Sequence, residues 1–202
     1  MLAALAGLLL TTVCVEAAAA RQRLEAFLKD LHTLQAHFVQ TLESKEKGSY
    51  RASGVLYLRR PGQFRWEYSG EDGQTIVADG SRIWMYDKGL EQVAHKSQSD
   101  ALRGTPAQIL VDEGSLETYF DIEERGEAEG LVWLQLTPRK KSDSDFAKVL
   151  LGFSGDELRE MIMVDNFGET NDLRFSDIQR NVMLDPKLFH FRPPPGIDVL
   201  GD

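Results

Sequence analysis

Cysteine is almost missing. Cys14 is the only one in 202 residues, and it lies in an apolar stretch at the N-terminus. The rest of the chain can therefore hold neither a disulfide framework nor a cysteine nucleophile. Histidine is sparse. His32, His37, His95 and His190 are scattered, with no H-x-H or H-E-x-x-H spacing, so a metal site is unsupported and each reads as a packing or surface histidine. No G-x-S-x-G elbow, G-x-G-x-x-G fingerprint or P-loop occurs, and no cofactor is expected. Basic residues are outnumbered, 23 Lys and Arg against 32 Asp and Glu, for a net charge of −9. Such a chain is a poor candidate for nucleic acid or an anionic membrane surface. Asp121, Glu123, Glu124 and Glu127 form a charge run that reads as a solvated edge, and nothing singles out a catalytic pair. An enzyme is not expected. Internal repeats and low-complexity segments are also missing.

Residues 1–20 are apolar and alanine-rich and close on small residues before Arg21. They read as a secretory signal peptide, too short for a spanning helix, with cleavage placed after Ala20. No Lys or Arg precedes the apolar core, which suggests a start further upstream. Val13 and Thr12 make a poor acylation site at Cys14, so that cysteine is expected to be removed with the leader. The remaining 21–202 has no apolar run long enough to cross a bilayer and reads as one exported domain, large enough to bury its own core.

The most structured stretch is 54–93. Apolar and aromatic runs alternate with Pro61-Gly62, Asp72-Gly73, Asp79-Gly80 and Lys88-Gly89. Proline presets φ and glycine tolerates positive φ, so each pair turns the chain back. This predicts a meander of about five antiparallel strands at 53–60, 63–68, 74–79, 82–87 and 90–95. Phe64, Trp66 and Tyr68 share one face of their strand. Leu56, Leu58 and Arg60 share a parity, which puts a guanidinium on an apolar face at a strand end. Burying it unpaired is costly, so Arg60 either reaches the rim, paired with a carboxylate, or has a purpose-built acceptor.

Leu24, Phe27, Leu28 and Leu31 predict an amphipathic helix over 21–33. From Leu34 to Leu42 the pattern fits helix and strand alike. Thr105 and Pro106 suit the start of a short helix through Ile109, Leu110 and Val111, with Thr105 as N-cap. Two turns are not stable alone and must dock on an apolar face. Further strands are expected near 119–124, 131–137, 146–153, 158–165 and 169–180, with Leu158, Ile162 and Val164 on one face of the fourth. Residues 189–191 suggest an edge strand. The fold class is α+β: about ten or eleven strands in a large curved sheet or open barrel, with two or three short helices over its concave face. Phe64, Trp66, Tyr68, Trp84, Tyr86 and Trp133, with Met161 and Met163, form either an ordinary core or the lining of a partly empty cavity under a helical lid. The Pro138–Lys141 basic patch reads as a solvated loop.

Several blocks together resemble the LolA family of periplasmic lipoprotein carriers. They are Arg59–Tyr68 (R-R-P-G-Q-F-R-W-E-Y), Gln74–Asp87 (Q-T-I-V-A-D-G-S-R-I-W-M-Y-D), L-E-Q-V at 90–93, T-P-A-Q-I-L at 105–110, L-T-P-R at 136–139, and the ending F-H-F-R-P-P-P-G at 189–196. The resemblance spans nearly all of the chain after the leader. It implies an open, incomplete antiparallel β-barrel with helices closing its mouth, and it makes 34–42 a strand. It implies a periplasmic chaperone, expected to act as a monomer, that accepts triacylated lipoproteins from an inner-membrane ABC transporter. The acyl chains would be shielded in a cavity and delivered to the outer membrane or its lipoprotein receptor. Arg60 matches the family's lid-locking arginine, whose acceptors would be carbonyls of the 106–111 helix region, and Phe64 matches its functional phenylalanine. Leu56, Leu58, Phe64, Trp66, Tyr68, Trp84, Ile109, Leu110 and Trp133 are the expected cavity residues. The alternative is a related open-barrel module that binds lipid or glycolipid, or senses lipoproteins.

Overall fold

A computed structural model describes residues 19–44, 46, 48–102, 105–111, 116–140 and 144–201. The leader expected over 1–20 lies outside the described residues as far as residue 18. Helix α1 (Ala19–Leu28) opens the described chain, followed by β1 (Thr33–Ser44), β2 (Gly48–Arg59), β3 (Gln63–Tyr68), β4 (Gln74–Asp79), β5 (Arg82–Asp87) and β6 (Gln92–Ser97). Two short helices come next, α2 (Gln98–Leu102) and α3 (Pro106–Val111). Then β7 (Phe120–Ala128), β8 (Leu131–Pro138), β9 (Phe146–Ser154), β10 (Glu157–Asp165) and β11 (Thr170–Arg180) run as a second meander, and β12 (Asp198–Gly201) closes the chain.

The twelve described strands form one unclosed sheet in the order β12-β6-β5-β4-β3-β2-β1-β11-β10-β9-β8-β7. The two meanders meet where β1 pairs with β11. All neighbours are antiparallel except β12, which runs parallel to β6. The ambiguous stretch 34–42 is strand, with Leu34, Ala36 and Phe38 buried on the concave side. The first helix is shorter than its periodicity suggests. Asp30 takes a positive φ of 52°, which turns the chain, although Leu31 stays buried.

Two irregularities decide which side chains face inward. In β10 the register shifts between Leu158 and Glu160, so Met161 and Met163, rather than Ile162 and Val164, join Leu158 in the core. In β11, Leu173 and Phe175 face in. The register then slips against Gln35–His37, and Asp177 takes a φ of 50°. The inward set moves from odd to even positions, which brings Ile178 onto the core and Arg180 to the helix side. Gly54 has a simpler role. A Cβ there would overlap the Glu67 carbonyl oxygen and meet the Phe38 ring at 2.7 Å, so the ring packs directly on backbone.

The helices divide the concave face. α1 lies over β7–β10, with Phe27 edge-on to Phe153 at 6.4 Å, while α2 packs on β5 and β6 and α3 on β2. The convex face is covered differently. No edge strand forms at 189–191. Residues 186–189 make a turn of 3-10 helix that buries Phe189 against β3 and β4, and the chain continues into β12.

Candidate functional site: a lidded apolar interior

The concave face is apolar over most of its length and turns polar at Gln40, which donates to Asn171 at 2.9 Å beyond Phe38. Leu56, Leu58, Phe64, Ile109 and Leu110 are buried in one cluster with Leu34, Phe38, Leu134, Leu151 and Phe175. Trp66 and Tyr68 are partly exposed and stand at the far end of the same face, against Phe38 at 4.7 and 5.2 Å. Burial raises the Tyr68 hydroxyl pKa above its ordinary value. Among the described residues the buried Trp66 indole N–H has no acceptor at hydrogen-bond geometry. Between α1, α3 and the sheet, one small space of about 10 Å³ is bounded by Phe27, Leu56, Leu110, Leu158 and Phe175. That space barely holds one water, so at this point the helices pack directly on the sheet.

Trp84 and Trp133 do not join this lining. Ile83 and Met85 face in, and the two-residue period sends Trp84 to the convex side, onto His95 at 4.8 Å and Phe191 at 5.7 Å. Leu134 and Leu136 likewise send Trp133 outward, where its ring covers the backbone of Gly152.

The rim holds the polar groups. A helix ends with unsatisfied carbonyls and a negative dipole end, which attract cations. Two arginines meet the end of α1. Arg60 donates to the Leu28 carbonyl at 3.1 Å. Arg180 Nη2 donates to the carbonyls of Phe27 at 2.8 Å, Lys29 at 2.9 Å and Ala26 at 3.4 Å, and its guanidinium lies 5.6 Å over the Phe27 ring. Asn181 secures the following turn, donating to the Asp30 carbonyl and accepting from the His32 N–H, both at 2.9 Å. The described bond of Arg60 thus runs to α1. α3 is joined to the same corner two residues on, where the Gly62 N–H donates to the Val111 carbonyl at 3.1 Å. Gln98, buried at the start of α2, donates to the Gly62 carbonyl at 2.7 Å and accepts from the Gly80 N–H at 3.0 Å. It ties α2 to the turn that carries Arg60. The Thr105 hydroxyl donates to the Leu102 carbonyl at 2.8 Å.

Outside the lid, an open groove of about 950 Å³ runs between Gly62, Gln98, Leu102 and Val111 on one side and Tyr119, Pro138 and Arg139 on the other. Arg139 is paired with Asp121 at 2.8 Å. Among the described residues no group of three or more His, Cys, Asp or Glu side chains is placed to hold a metal ion.

Known proteins bear directly on this arrangement. Residues 29–192 match the family described as "Outer membrane lipoprotein carrier protein LolA". The chain belongs to the LolA family. The outer-membrane lipoprotein carrier protein of Methylococcus capsulatus is 42% identical over 183 residues, which are 90% of this chain and 88% of that protein. The protein of the same name from Dechloromonas aromatica is 42% identical over 186 residues, covering 92% and 89%. In fold, the chain resembles a LolA superfamily protein of Nitrosomonas europaea, with a TM-score of 0.50 at 15% identity over 87% of this chain and 98% of the other. It also resembles an uncharacterized conserved protein of Thermus thermophilus, with a TM-score of 0.56 at 16% identity over 91% and 99%. LolA-family membership agrees with the open sheet, the apolar concave face and the short covering helices.

Arg180, Asn181 and Gln98 were not singled out from the sequence. For Arg180 a signal was present: Leu173 and Phe175 are odd-numbered and Ile178 even, a break in the two-residue period that marks a bulge. Gln98 sits in a polar run with no such signal.

Proposed function

We propose that this LolA-family chain is a carrier of acylated lipoproteins. It would act in the periplasm without chemistry of its own, taking cargo from an inner-membrane ABC transporter and passing it to the outer membrane or a receptor there. The observation that carries this reading is the apolar concave face under short helices held at their ends by bonds to backbone carbonyls. The space of about 10 Å³ beneath α1 and α3 admits no acyl chain, so an acyl chain bound there would need these helices to move and the apolar side chains beneath them to part. Each acyl methylene taken out of water contributes about 0.8 kcal/mol, so burying about ten contributes roughly 8 kcal/mol. A permanently open cavity would hold cargo too tightly to release it. Closing the empty lid competes with the cargo and keeps delivery reversible. In this reading Arg60 sets the balance, Phe64, Leu56, Leu58, Ile109 and Leu110 change partners from one another to acyl chain, and the groove beside α3 is the way in.

The test adds the chain from about Arg21 to spheroplasts making labelled lipoprotein. Lipoprotein appearing in the soluble fraction, bound one to one and only when the protein is added, supports the carrier. Release without delivery by Arg60→Leu supports the role of that arginine, and normal delivery by this variant sinks it. No release by the folded wild type overturns the carrier reading. Identification of whatever lipid co-purifies then becomes the next step.

A further inference from the structure

Glu124 does more than face solvent from β7. Its Oε2 accepts the Ala20 N–H at 3.1 Å and its Oε1 accepts the Arg21 N–H at 2.8 Å. Ala20 has no exposed surface and belongs to the same buried cluster as Leu24 and Phe27. Arg21 is paired with Glu25 at 3.4 Å and with Glu117. A cut after Ala20 would therefore discard a core residue and one of the two bonds to Glu124. The four alanines at 17–20 offer other small-residue sites to a leader peptidase.

We propose that the leader is cut between Ala19 and Ala20, and that the ammonium so created is held by Glu124 as the latch at the front of α1. The proposal rests on the export reading. In the cut, water adds across the Ala19–Ala20 peptide bond. Its oxygen goes to the Ala19 carbonyl carbon, which leaves as the carboxylate of the released leader. The Ala20 nitrogen takes up protons and becomes the new terminal ammonium. Alanine then stands one and three residues before the cut, as such peptidases require. The Ala19–Ala20 bond is helical in the folded chain, so cleavage comes before α1 is complete. A free ammonium is unfavourable at a helix N-terminus, because it adds positive charge to the positive end of the dipole. Glu124 supplies the countercharge, and the hydrogen bond its carboxylate already accepts from the Ala20 N–H becomes an ion pair charged on both sides. Processing would then tighten the hold on one of the covering helices.

Two experiments test this. The chain is expressed with its leader in a Gram-negative host, and the exported product is read by N-terminal sequencing and intact mass. A product starting at Ala20 is expected. A start at Arg21, or before Ala20, overturns the position while leaving export intact, and an uncut chain kept in the cytoplasm overturns the export reading as well. The second experiment compares protein starting at Ala20 with its N-acetylated form, which keeps the N–H but loses the charge. Acetylation is expected to lower Tm by about 2–4 °C in the wild-type background and, with no countercharge left to lose, to leave Tm unchanged or raise it slightly in Glu124→Gln. Equal effects in the two backgrounds overturn the latch.

Discussion

The two faces of the sheet are covered in opposite ways. Among the described residues, three short helices of ten, five and six residues lie on the concave side, attached at their ends by hydrogen bonds from Arg60, Gly62, Gln98 and Arg180. On the convex side the C-terminal chain sinks Phe189 completely, sets the Arg59 guanidinium 5.0 Å over its ring and lays Phe191 against Trp84 and Tyr86. It then hydrogen-bonds into the sheet as β12. Short helices have little stability apart from the face they dock on, whereas a strand in a ladder is held residue by residue. Arg59 and Arg60 mark the division, because adjacent positions on a strand send one guanidinium to each cover. The difference suggests that one cover is made to lift and the other to stay.

The largest expected effect breaks the permanent cover. Phe189→Ala removes a fully buried ring and should cost about 3–5 kcal/mol, measured by urea unfolding, with delivery per folded molecule unchanged. A loss under 1 kcal/mol would mean that the convex cover contributes little. The next effect falls on the movable cover. Arg180→Met strips the carbonyls of Ala26, Phe27 and Lys29 at the end of α1 of this donor and should cost about 1–3 kcal/mol. Amide exchange in α1 should rise while that in β12 does not, and Arg180→Lys should restore part of the protection. Exchange rising equally in both elements would erase the distinction.

The smallest effect is acidic. Burial pushes the Asp79 pKa up, but N–H donation from Arg82 and Ser81, the Ser81 hydroxyl and the Trp84 indole outweigh it and hold the carboxyl below its usual range. A depressed folded pKa adds stability that is present above the unfolded value of about 3.9 and is lost as pH falls through the folded value. Asp79→Asn should therefore lower Tm at pH 7 by a small amount and leave it unchanged at the acid end. An equal drop at both ends would point to lost packing of the turn instead.

Much of this was legible beforehand. The turn pairs placed β3, β4 and β5 at their observed bounds, because proline and glycine leave few alternatives. Leu56, Leu58 and Phe64 were legible as inward residues by parity. Trp84 and Trp133 were misread because size and aromaticity do not reveal which face of a strand a residue takes: Trp84 lies under the C-terminal segment and Trp133 against Gly152. The inward turn of Met161 and Met163 depended on a bulge that regular alternation hides. Residues 189–191 looked like a strand because aromatic alternation also fits an extended chain laid across another sheet. Arg180 was passed over because its partners are backbone carbonyls, which no side-chain pattern announces.

The most direct test of the two covers is amide hydrogen exchange on the chain from Ala20, with and without a bound triacylated lipopeptide. The account predicts that bound lipopeptide changes protection in α1, in α3 and at Gly62, while β6, β12 and residues 186–189 stay as they were. Unchanged exchange in α1 and α3 with lipopeptide bound, or a change confined to the C-terminal cover, would contradict it.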